Sequence, residues 1–202
     1  MAYIKVVQPD VAEGKLADLF NRVRGPNGQV DNVLQIHSLR PHTMLGHMGL
    51  YKAVLHHPGN SLPAWFLESV GVLVSMLNAC AYCEHHHSEG LKRLLQSVPG
   101  RYEACLAQLR SAEPGHPFTT AQSAALDYVR KLTLSPGAIA RQDVDALRVA
   151  GNSDGEILEM NQVASYFAYV NRTVLGLGVS IEGELLGLSP QESADLEDWA
   201  HA

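Results

Sequence analysis

The sequence predicts an all-α fold, because helical patterns dominate it. The strict alternation of apolar and polar residues that marks half-buried β-strands is absent. Residues 153–156 and 189–192 both have the Ser-x-x-Glu spacing of a capping box, which marks a helix start. With 202 residues, of which 46% are apolar, the chain can bury a complete core. We therefore expect a single helical domain over residues 1–202.

Turn signals divide the first third of the chain into two helices. Residues 11–24 have an amphipathic pattern, and the Gly-Pro-Asn-Gly sequence at residues 25–28 predicts a turn after them. Residues 42–57 predict a second helix, which is closed by Pro58 and Gly59. These two helices precede the most informative part of the chain.

The central segment predicts a helical hairpin. Residues 63–77 begin with a proline at a helix-start position and are almost wholly apolar, which is typical of a helix buried on most of its circumference. We expect Asn78 to end this helix in the left-handed conformation. A second helix is expected to begin at residue 79 or 80 and to continue to about residue 96.

Antiparallel arms of this hairpin would bring a carboxylate, an imidazole and two thiols together. Glu68 lies ten residues before Asn78 and His87 nine residues after it. Both side chains are therefore expected roughly 14 Å below the turn, facing each other. Cys80 and Cys83 share the face of His87 at helical spacing, with Cys83 one turn nearer the bend than His87.

The residue types in this hairpin indicate redox chemistry. Glu68 is the only charged residue between residues 58 and 84, and an isolated carboxylate in an apolar helix points to a functional site. Two cysteines three residues apart on a helix have α-carbons about 5 Å apart, which a disulfide accepts. A position near a helix start favours their thiolates. His85 and His86, in contrast, are expected to be exposed or to have their hydrogen bonds satisfied structurally, without a part in catalysis.

Cysteine usage indicates a reducing compartment. The chain has three cysteines and no recognisable secretory segment, so we expect a cytoplasmic protein rather than a disulfide-stapled scaffold. The third cysteine, Cys105, has neither a partner nor a base nearby in the sequence and is expected to be a small buried apolar residue.

Charge and hydropathy exclude two classes of partner. The net charge of −6 and the absence of a basic stripe argue against nucleic-acid binding. The longest apolar stretch, residues 62–77, contains Glu68 and is short for a membrane span.

Helical patterns continue after the hairpin. They predict, in order, a short helix through residue 110, a loop around residues 114–117, and helices at residues 121–132 and 142–149. A long helix is expected over residues 156–175, after the first capping box. The second capping box predicts a final helix from Ser189 to Trp199, packed on a neighbouring subunit.

The spacing of the four candidate site residues resembles a known family pattern. Glu, eleven residues, Cys, two residues, Cys, three residues, His falls on Glu68, Cys80, Cys83 and His87 without a gap. This pattern is similar to the core motif of the alkylhydroperoxidase D-like (AhpD-like) branch of the carboxymuconolactone decarboxylase superfamily. The resemblance extends over most of residues 30–179, where we expect the domain core, with helical extensions at both ends.

The resemblance implies an AhpD-like helical fold with a central redox hairpin, homo-oligomeric assembly and reduction of alkyl hydroperoxides. Cys83 resembles the thiol that attacks peroxide, and Cys80 resembles its resolving partner. Glu68 and His87 resemble the relay that removes the proton from Cys83. An external dithiol would reduce the resulting disulfide, and neither a cofactor nor a metal is implied. Tyr82 departs from the pattern, because the best-known members have a histidine there.

The sequence alone gives opposing arguments about the two thiols. Cys80 is nearer the helix start and should feel the helix dipole more strongly. His87 lies one turn from Cys83 but two turns from Cys80, so proton removal by a base favours Cys83. We expect Cys83 to be the attacking thiol.

Three other functions remain open at this stage. Cys80, Cys83 and His87, with Glu68 or His86, could surround a zinc ion in a helical interaction module. The lack of a second cysteine pair argues against this alternative. A lactone decarboxylase like the superfamily's namesake would leave the paired cysteines unexplained. A general disulfide reductase would use the same two thiols on a different substrate.

Overall fold

The computed structural model describes residues 2–111, 117–190, 192–196 and 198–199, and these ranges contain helices and no β-strand. Their α-helices, numbered in chain order, are α1 (Gly14–Arg22), α2 (Asn32–Gln35), α3 (Pro41–Leu55), α4 (Ala64–Leu77), α5 (Ala81–Leu95), α6 (Arg101–Ser111), α7 (Thr120–Leu134), α8 (Arg141–Val149) and α9 (Asp154–Leu177). A single 3₁₀ turn, Pro136–Ala138, joins α7 to α8. The predicted all-α fold class is confirmed.

Helix α4 is the centre of the core. It packs against α5, α7 and α9, and every residue from Phe66 to Ser75 is buried. A helix that is apolar on nearly every side must be surrounded by other helices, so α4 organises their arrangement. Gly71 allows the closest approach, because a Cβ atom at this position would lie 2.3 Å from the ring of Phe167 on α9.

The turn between α4 and α5 is a Schellman motif. The Cys80 N–H donates to the Ser75 carbonyl oxygen at 2.9 Å, and the Ala79 N–H donates to the Met76 carbonyl oxygen at 3.0 Å. Ala79 has a φ of 54°, which is the left-handed conformation that this motif requires. The turn delivers Cys80 directly to the start of α5, where it is the N-cap residue.

The prediction that Asn78 would take the left-handed conformation is wrong. Asn78 has a φ of −86°, and Ala79 takes the left-handed position. The Asn78 side chain instead donates to Asn171 Oδ1 on α9 at 2.9 Å. This tertiary hydrogen bond uses the amide that would otherwise support a left-handed turn locally.

Most of the other predicted helices are present. The helix predicted at residues 11–24 is shorter, and the short helix α2 was not predicted. The predicted capping box ahead of α9 is confirmed, because the Ser153 N–H donates to Glu156 Oε2 at 2.8 Å and Ser153 Oγ accepts from the Glu156 N–H. The loop predicted around residues 114–117 lies outside the described residues, except for residue 117.

The prediction of a C-terminal helix from Ser189 to Trp199 is wrong for the described residues of that segment. The Ser193 N–H donates to the carbonyl oxygen of His56 on the end of α3 rather than to a helical i−4 carbonyl. Trp199 is buried against Phe20, Met44 and their neighbours in the same chain. Tertiary contacts therefore outweigh the local helix-start signal of this segment.

The chain beyond α9, which we call the C-terminal segment (residues 178–199), is held to the N-terminal part of the fold by hydrogen bonds. Gln29 donates to the Gly183 carbonyl oxygen at 2.8 Å, and Asn32 donates to the Ser180 carbonyl oxygen at 2.9 Å. Residues 187–190 of this segment then reach the open side of the α4 and α5 hairpin, where they border a cavity. The segment therefore closes over the site described below.

None of the helices in the described ranges combines the length and the apolar character that a bilayer crossing requires.

The left-handed alanine gives a stability prediction. An L-residue in this conformation costs about 1 kcal/mol or more, whereas glycine adopts it freely. We expect Ala79→Gly to raise the free energy of unfolding by about 1 kcal/mol, measured as a higher denaturant midpoint at unchanged m-value. Ala107→Gly, on an exposed position inside α6, is the matched control and should lower it by a similar amount. A loss of stability in both variants would contradict the assigned turn.

Candidate active site

A cavity of about 70 Å³ lies between the hairpin, α9, the N-terminal helices and the C-terminal segment. Its walls carry the thiol of Cys83, the pair of Glu68 and His87, and a second acidic group, Asp31. Aromatic side chains, including Tyr51, form much of the remaining surface. The cavity therefore combines a nucleophile, acid and base groups, and apolar walls in one enclosed space.

Glu68 and His87 form a buried pair across the hairpin. His87 Nδ1 lies 2.7 Å from Glu68 Oε2, and the Glu68 side chain is 5% exposed. Burial alone would raise the pKa of Glu68, but the charge of His87 and its hydrogen bond outweigh burial and lower this pKa overall. The carboxylate therefore stays ionised and orients the imidazole, whose Nε2 is left for proton transfer.

The ring of His87 is fixed by packing as well as by Glu68. Phe167 of α9 meets it edge to face, with ring centroids 4.6 Å apart. Phe167 occupies the space left by the missing side chain of Gly71 on α4. Three helices therefore define the orientation of one imidazole, as a proton-transfer group requires.

Cys80 and Cys83 are free thiols in contact with each other. Their Sγ atoms are 3.1 Å apart, about 1 Å longer than a disulfide bond. Cys83 is 3% exposed and borders the cavity, whereas Cys80 is fully enclosed behind it. A molecule in the cavity can therefore reach Cys83 first.

The surroundings of the two thiols separate their acidities. The side-chain hydrogen bond shared with Cys83 lowers the pKa of Cys80, and the backbone N–H of Cys83 contributes in the same direction. The shared hydrogen bond with Cys80, together with burial, raises the pKa of Cys83. In the resting pair the negative charge is therefore best accommodated on Cys80, and Cys83 needs a base to become a thiolate.

Asn171 is a site residue whose role sequence reasoning did not identify. Its buried side chain on α9 donates to Ser75 Oγ at 3.2 Å, and its interaction lowers the pKa of both Cys80 and Cys83. Its oxygen accepts from Asn78 at the hairpin turn. Asn171 thus favours thiolates and ties the turn to α9. No signal in the sequence separates Asn171 from the polar residues Arg172 and Thr173 that follow it.

His86 belongs to a second pair of histidine and carboxylate, so it is one of the satisfied histidines that the sequence allowed. His86 Nε2 lies 3.0 Å from Glu184 Oε2, and the two side chains are 10% and 4% exposed. His85 is exposed, as predicted. Helix α5 therefore directs His86 toward the C-terminal segment and His87 toward α4.

Tyr82 joins this second pair and anchors the C-terminal segment. Its hydroxyl donates to Glu184 Oε1 at 3.0 Å and accepts from the Val33 N–H at 3.2 Å. Glu184 also accepts from the Asn32 N–H. The proton of the Tyr82 hydroxyl is therefore committed to Glu184, and burial raises the pKa of Tyr82 well above the ordinary value.

Asp31 borders the same cavity from the N-cap position of α2. Burial raises its pKa to about 6, while His86 acts to lower this pKa and Glu184 acts to raise it. Its carboxyl group has no hydrogen-bond partner in the described part of the chain. A carboxyl group in these surroundings holds its proton more strongly than an exposed aspartate does.

The structure gives no support for chemistry at Cys105 or for a zinc site among the described residues. Burial raises the pKa of Cys105 to about 11, and this thiol is fully enclosed in the core. Within the described ranges, no three His, Cys, Asp or Glu side chains are arranged to hold a metal ion. The zinc alternative therefore has no ligand set among these residues.

The raised pKa of Asp31 predicts a pH-dependent gain in stability for Asp31→Asn. In the folded state Asp31 keeps its proton up to about pH 6, and in the unfolded state only to about pH 3.8. Stability therefore falls as pH rises between these values. We take the free energy of unfolding of the variant minus that of the parent. We expect this difference to be roughly 2 to 3 kcal/mol larger at pH 8 than at pH 4.

Denaturant unfolding of both proteins at the two pH values measures this difference. The contribution of Glu68 is the same in parent and variant, so it cancels. An equal stability difference at pH 4 and pH 8 would show that Asp31 is not buried as described.

The chain matches no protein-family model and no curated protein sequence. It does match solved structures. A peroxidase-related protein from Ralstonia eutropha JMP134, described as an alkylhydroperoxidase AhpD core, superimposes with a TM-score of 0.72 at 21% identity over 89% of this chain and 91% of that chain. A peroxidase-related protein from Silicibacter sp. TM1040 gives 0.71 at 22% identity, over 88% and 94%.

An enzyme with a different activity has a similar structure. The debrominase Bmp8, in complex with 2,3,4-tribromopyrrole, superimposes with a TM-score of 0.69 at 17% identity, over 90% of this chain and 92% of that chain. At these identities the likeness establishes the fold. The chain therefore has the all-α fold of the AhpD-like peroxidase-related proteins.

Proposed function

We propose that this protein is a dithiol peroxidase that reduces organic hydroperoxides through Cys83 and Cys80. The observation that carries the proposal is the contact of two free thiols, 3.1 Å apart, of which Cys83 borders a cavity shared with the pair of Glu68 and His87. The fold, shared with peroxidase-related proteins, supports the same conclusion.

The reaction begins with proton removal from Cys83. His87 lies one helical turn further along α5, so its imidazole is on the same face as the thiol. Glu68 holds the imidazole and stabilises the imidazolium that forms. The Cys83 thiolate then attacks the terminal oxygen of the hydroperoxide. The O–O bond breaks, sulfur is oxidised by two electrons to a sulfenic acid, and the departing alkoxide takes up a proton and leaves as an alcohol.

Cys80 resolves the sulfenic acid. In the resting pair its pKa is lowered, chiefly by its hydrogen bond with Cys83, and its enclosed position protects it from direct contact with peroxide. It attacks the Cys83 sulfur, water leaves, and a disulfide forms between neighbouring turns of the chain. An external dithiol then exchanges with this disulfide and restores both thiols. The arrangement thus gives each cysteine a separate task.

Reductive dehalogenation of a haloaromatic compound is a second candidate. The aromatic rings of Tyr51 and Tyr166, which lie 5.6 Å apart, border the cavity next to Cys83 and suit a flat aromatic substrate. A thiolate can attack a ring halogen as it attacks peroxide oxygen. The ring carbon takes a proton, the sulfur carries the halogen, and Cys80 displaces halide to form the same disulfide.

Thiol counting tests the main proposal. We expect the reduced parent protein to lose two free thiols on addition of one equivalent of an organic hydroperoxide, because Cys83 and Cys80 become a disulfide. Cys83→Ser should lose none. The matched control, Cys105→Ala, should still lose two, because Cys105 is enclosed in the core away from the pair. Persistence of all thiols in the parent would refute the peroxidase proposal.

A competition experiment separates peroxidase from dehalogenase and from disulfide reductase. We expect single-turnover disulfide formation to be faster with ethyl hydroperoxide than with a brominated pyrrole or an aromatic disulfide at equal concentration. Bromide release that is faster than peroxide consumption would establish the second candidate instead. Turnover of a lactone by a variant with both cysteines changed to serine would establish a decarboxylase.

A further inference from the structure

We propose that Asp31 is the general acid that protonates the alkoxide leaving group when Cys83 cleaves the hydroperoxide. This inference rests on the proposed peroxidase function and adds a catalytic residue to it. It concerns a group outside the motif of Glu68, Cys80, Cys83 and His87, and on a different element of the fold.

The chemistry of the cleavage step requires such an acid. When the O–O bond of an alkyl hydroperoxide breaks, the departing oxygen becomes an alkoxide, which is a strong base and a poor leaving group. The proton that His87 has taken from Cys83 is held on an imidazolium that the Glu68 carboxylate stabilises. A second group that delivers a proton to the departing oxygen lowers the barrier, typically by a factor of about 10² to 10⁴ in rate.

Asp31 is the most acidic of the cavity groups whose proton is free for this purpose, because the pKa values of the Tyr51 and Tyr166 hydroxyls are raised well above their ordinary value. The Tyr82 hydroxyl donates to Glu184, and His86 is also paired with Glu184. The carboxyl group of Asp31 borders the same cavity and has no hydrogen-bond partner among the described residues. A partly buried carboxyl group that borders a substrate space and has no competing hydrogen bond is poised to donate to what binds there.

The charges around Asp31 keep a protonated population available. Burial raises its pKa to about 6, and Glu184 on the C-terminal segment adds to this effect. His86 on α5 opposes it, and Tyr51 on α3 also lies within electrostatic range of Asp31. A carboxyl group with this pKa is both partly protonated near neutral pH and acidic enough to protonate an alkoxide completely.

The step is balanced. The Cys83 thiolate, the hydroperoxide and the protonated Asp31 react to give the Cys83 sulfenic acid, the alcohol and the Asp31 carboxylate. Sulfur supplies the two electrons that reduce the O–O bond, and the proton of Asp31 goes to the alcohol oxygen. Asp31 then regains a proton from solvent, either directly or through His86, whose charge interacts with it.

The test uses two substrates of similar size that differ in their need for an acid. Ethyl hydroperoxide releases ethoxide, which needs a proton, whereas peracetic acid releases acetate, which does not. We expect Asp31→Asn to slow single-turnover thiol oxidation by ethyl hydroperoxide about 10²-fold and to leave the rate with peracetic acid nearly unchanged. Asp31→Glu, which keeps the acid, should recover part of the lost rate.

Asp18→Asn is the matched control, because Asp18 is exposed on α1, and it should leave both rates unchanged. Equal slowing of Asp31→Asn with both substrates would show a structural role and overturn the proposal. Unchanged rates with both substrates would overturn it as well. If the parent protein reacted with neither peroxide, the proposed function itself would fail, and the inference would fail with it.

Discussion

The buried carboxylate of Glu68 is the constraint on which the rest of the structure depends. It lies in the middle of α4, which is otherwise apolar and enclosed by other helices. A carboxylate in such a position is tolerated only when it is paired and hydrogen-bonded. His87 supplies that partner from α5, 2.7 Å away, so the register of the hairpin is fixed by the need to satisfy one charge. The same register places Cys83 next to the base.

The hairpin could be predicted from the sequence because its determinants are local or short in range. The apolar pattern of α4, the lone carboxylate Glu68 and the spacing of Cys83 and His87 along α5 together specify which groups meet. The exact turn could not be predicted. Asparagine adopts the left-handed conformation more readily than alanine does, but Asn78 is held by Asn171, 93 residues away, and Ala79 takes that conformation instead.

The pair of His86 and Glu184 could not be predicted from the sequence, again because its partners are far apart in the chain. His86 and Glu184 are 98 residues apart, and nothing in the residues around either one indicates the other. The C-terminal segment carries a local helix-start signal, but the hydrogen bond from Ser193 to His56 commits its backbone elsewhere. Local propensity is a weak guide where tertiary hydrogen bonds compete with it. The pairing of His86 with Glu184 is therefore seen only in the structure.

The site contains one carboxyl group that lowers the stability of the fold, Asp31, and one whose burial is compensated, Glu68. Glu68 is compensated by His87, whereas Asp31 is partly buried without a hydrogen-bond partner in the described residues and keeps a raised pKa. Such a group destabilises the fold at neutral pH, which is expected where function rather than stability has determined the residue. Two carboxyl groups in one cavity, one kept ionised and one partly protonated, are suited to act as base partner and acid in the same reaction.

The central claim is that peroxide oxidises the sulfur atom of Cys83 and not that of Cys80. The most direct measurement is mass-spectrometric mapping of a sulfenic acid trap, added together with one equivalent of organic hydroperoxide, in the two single variants. We predict that Cys80→Ser accumulates the trapped adduct on Cys83 and that Cys83→Ser gives no adduct on Cys80. An adduct on Cys80 that forms as fast in Cys83→Ser as the adduct on Cys83 does in Cys80→Ser would contradict the account.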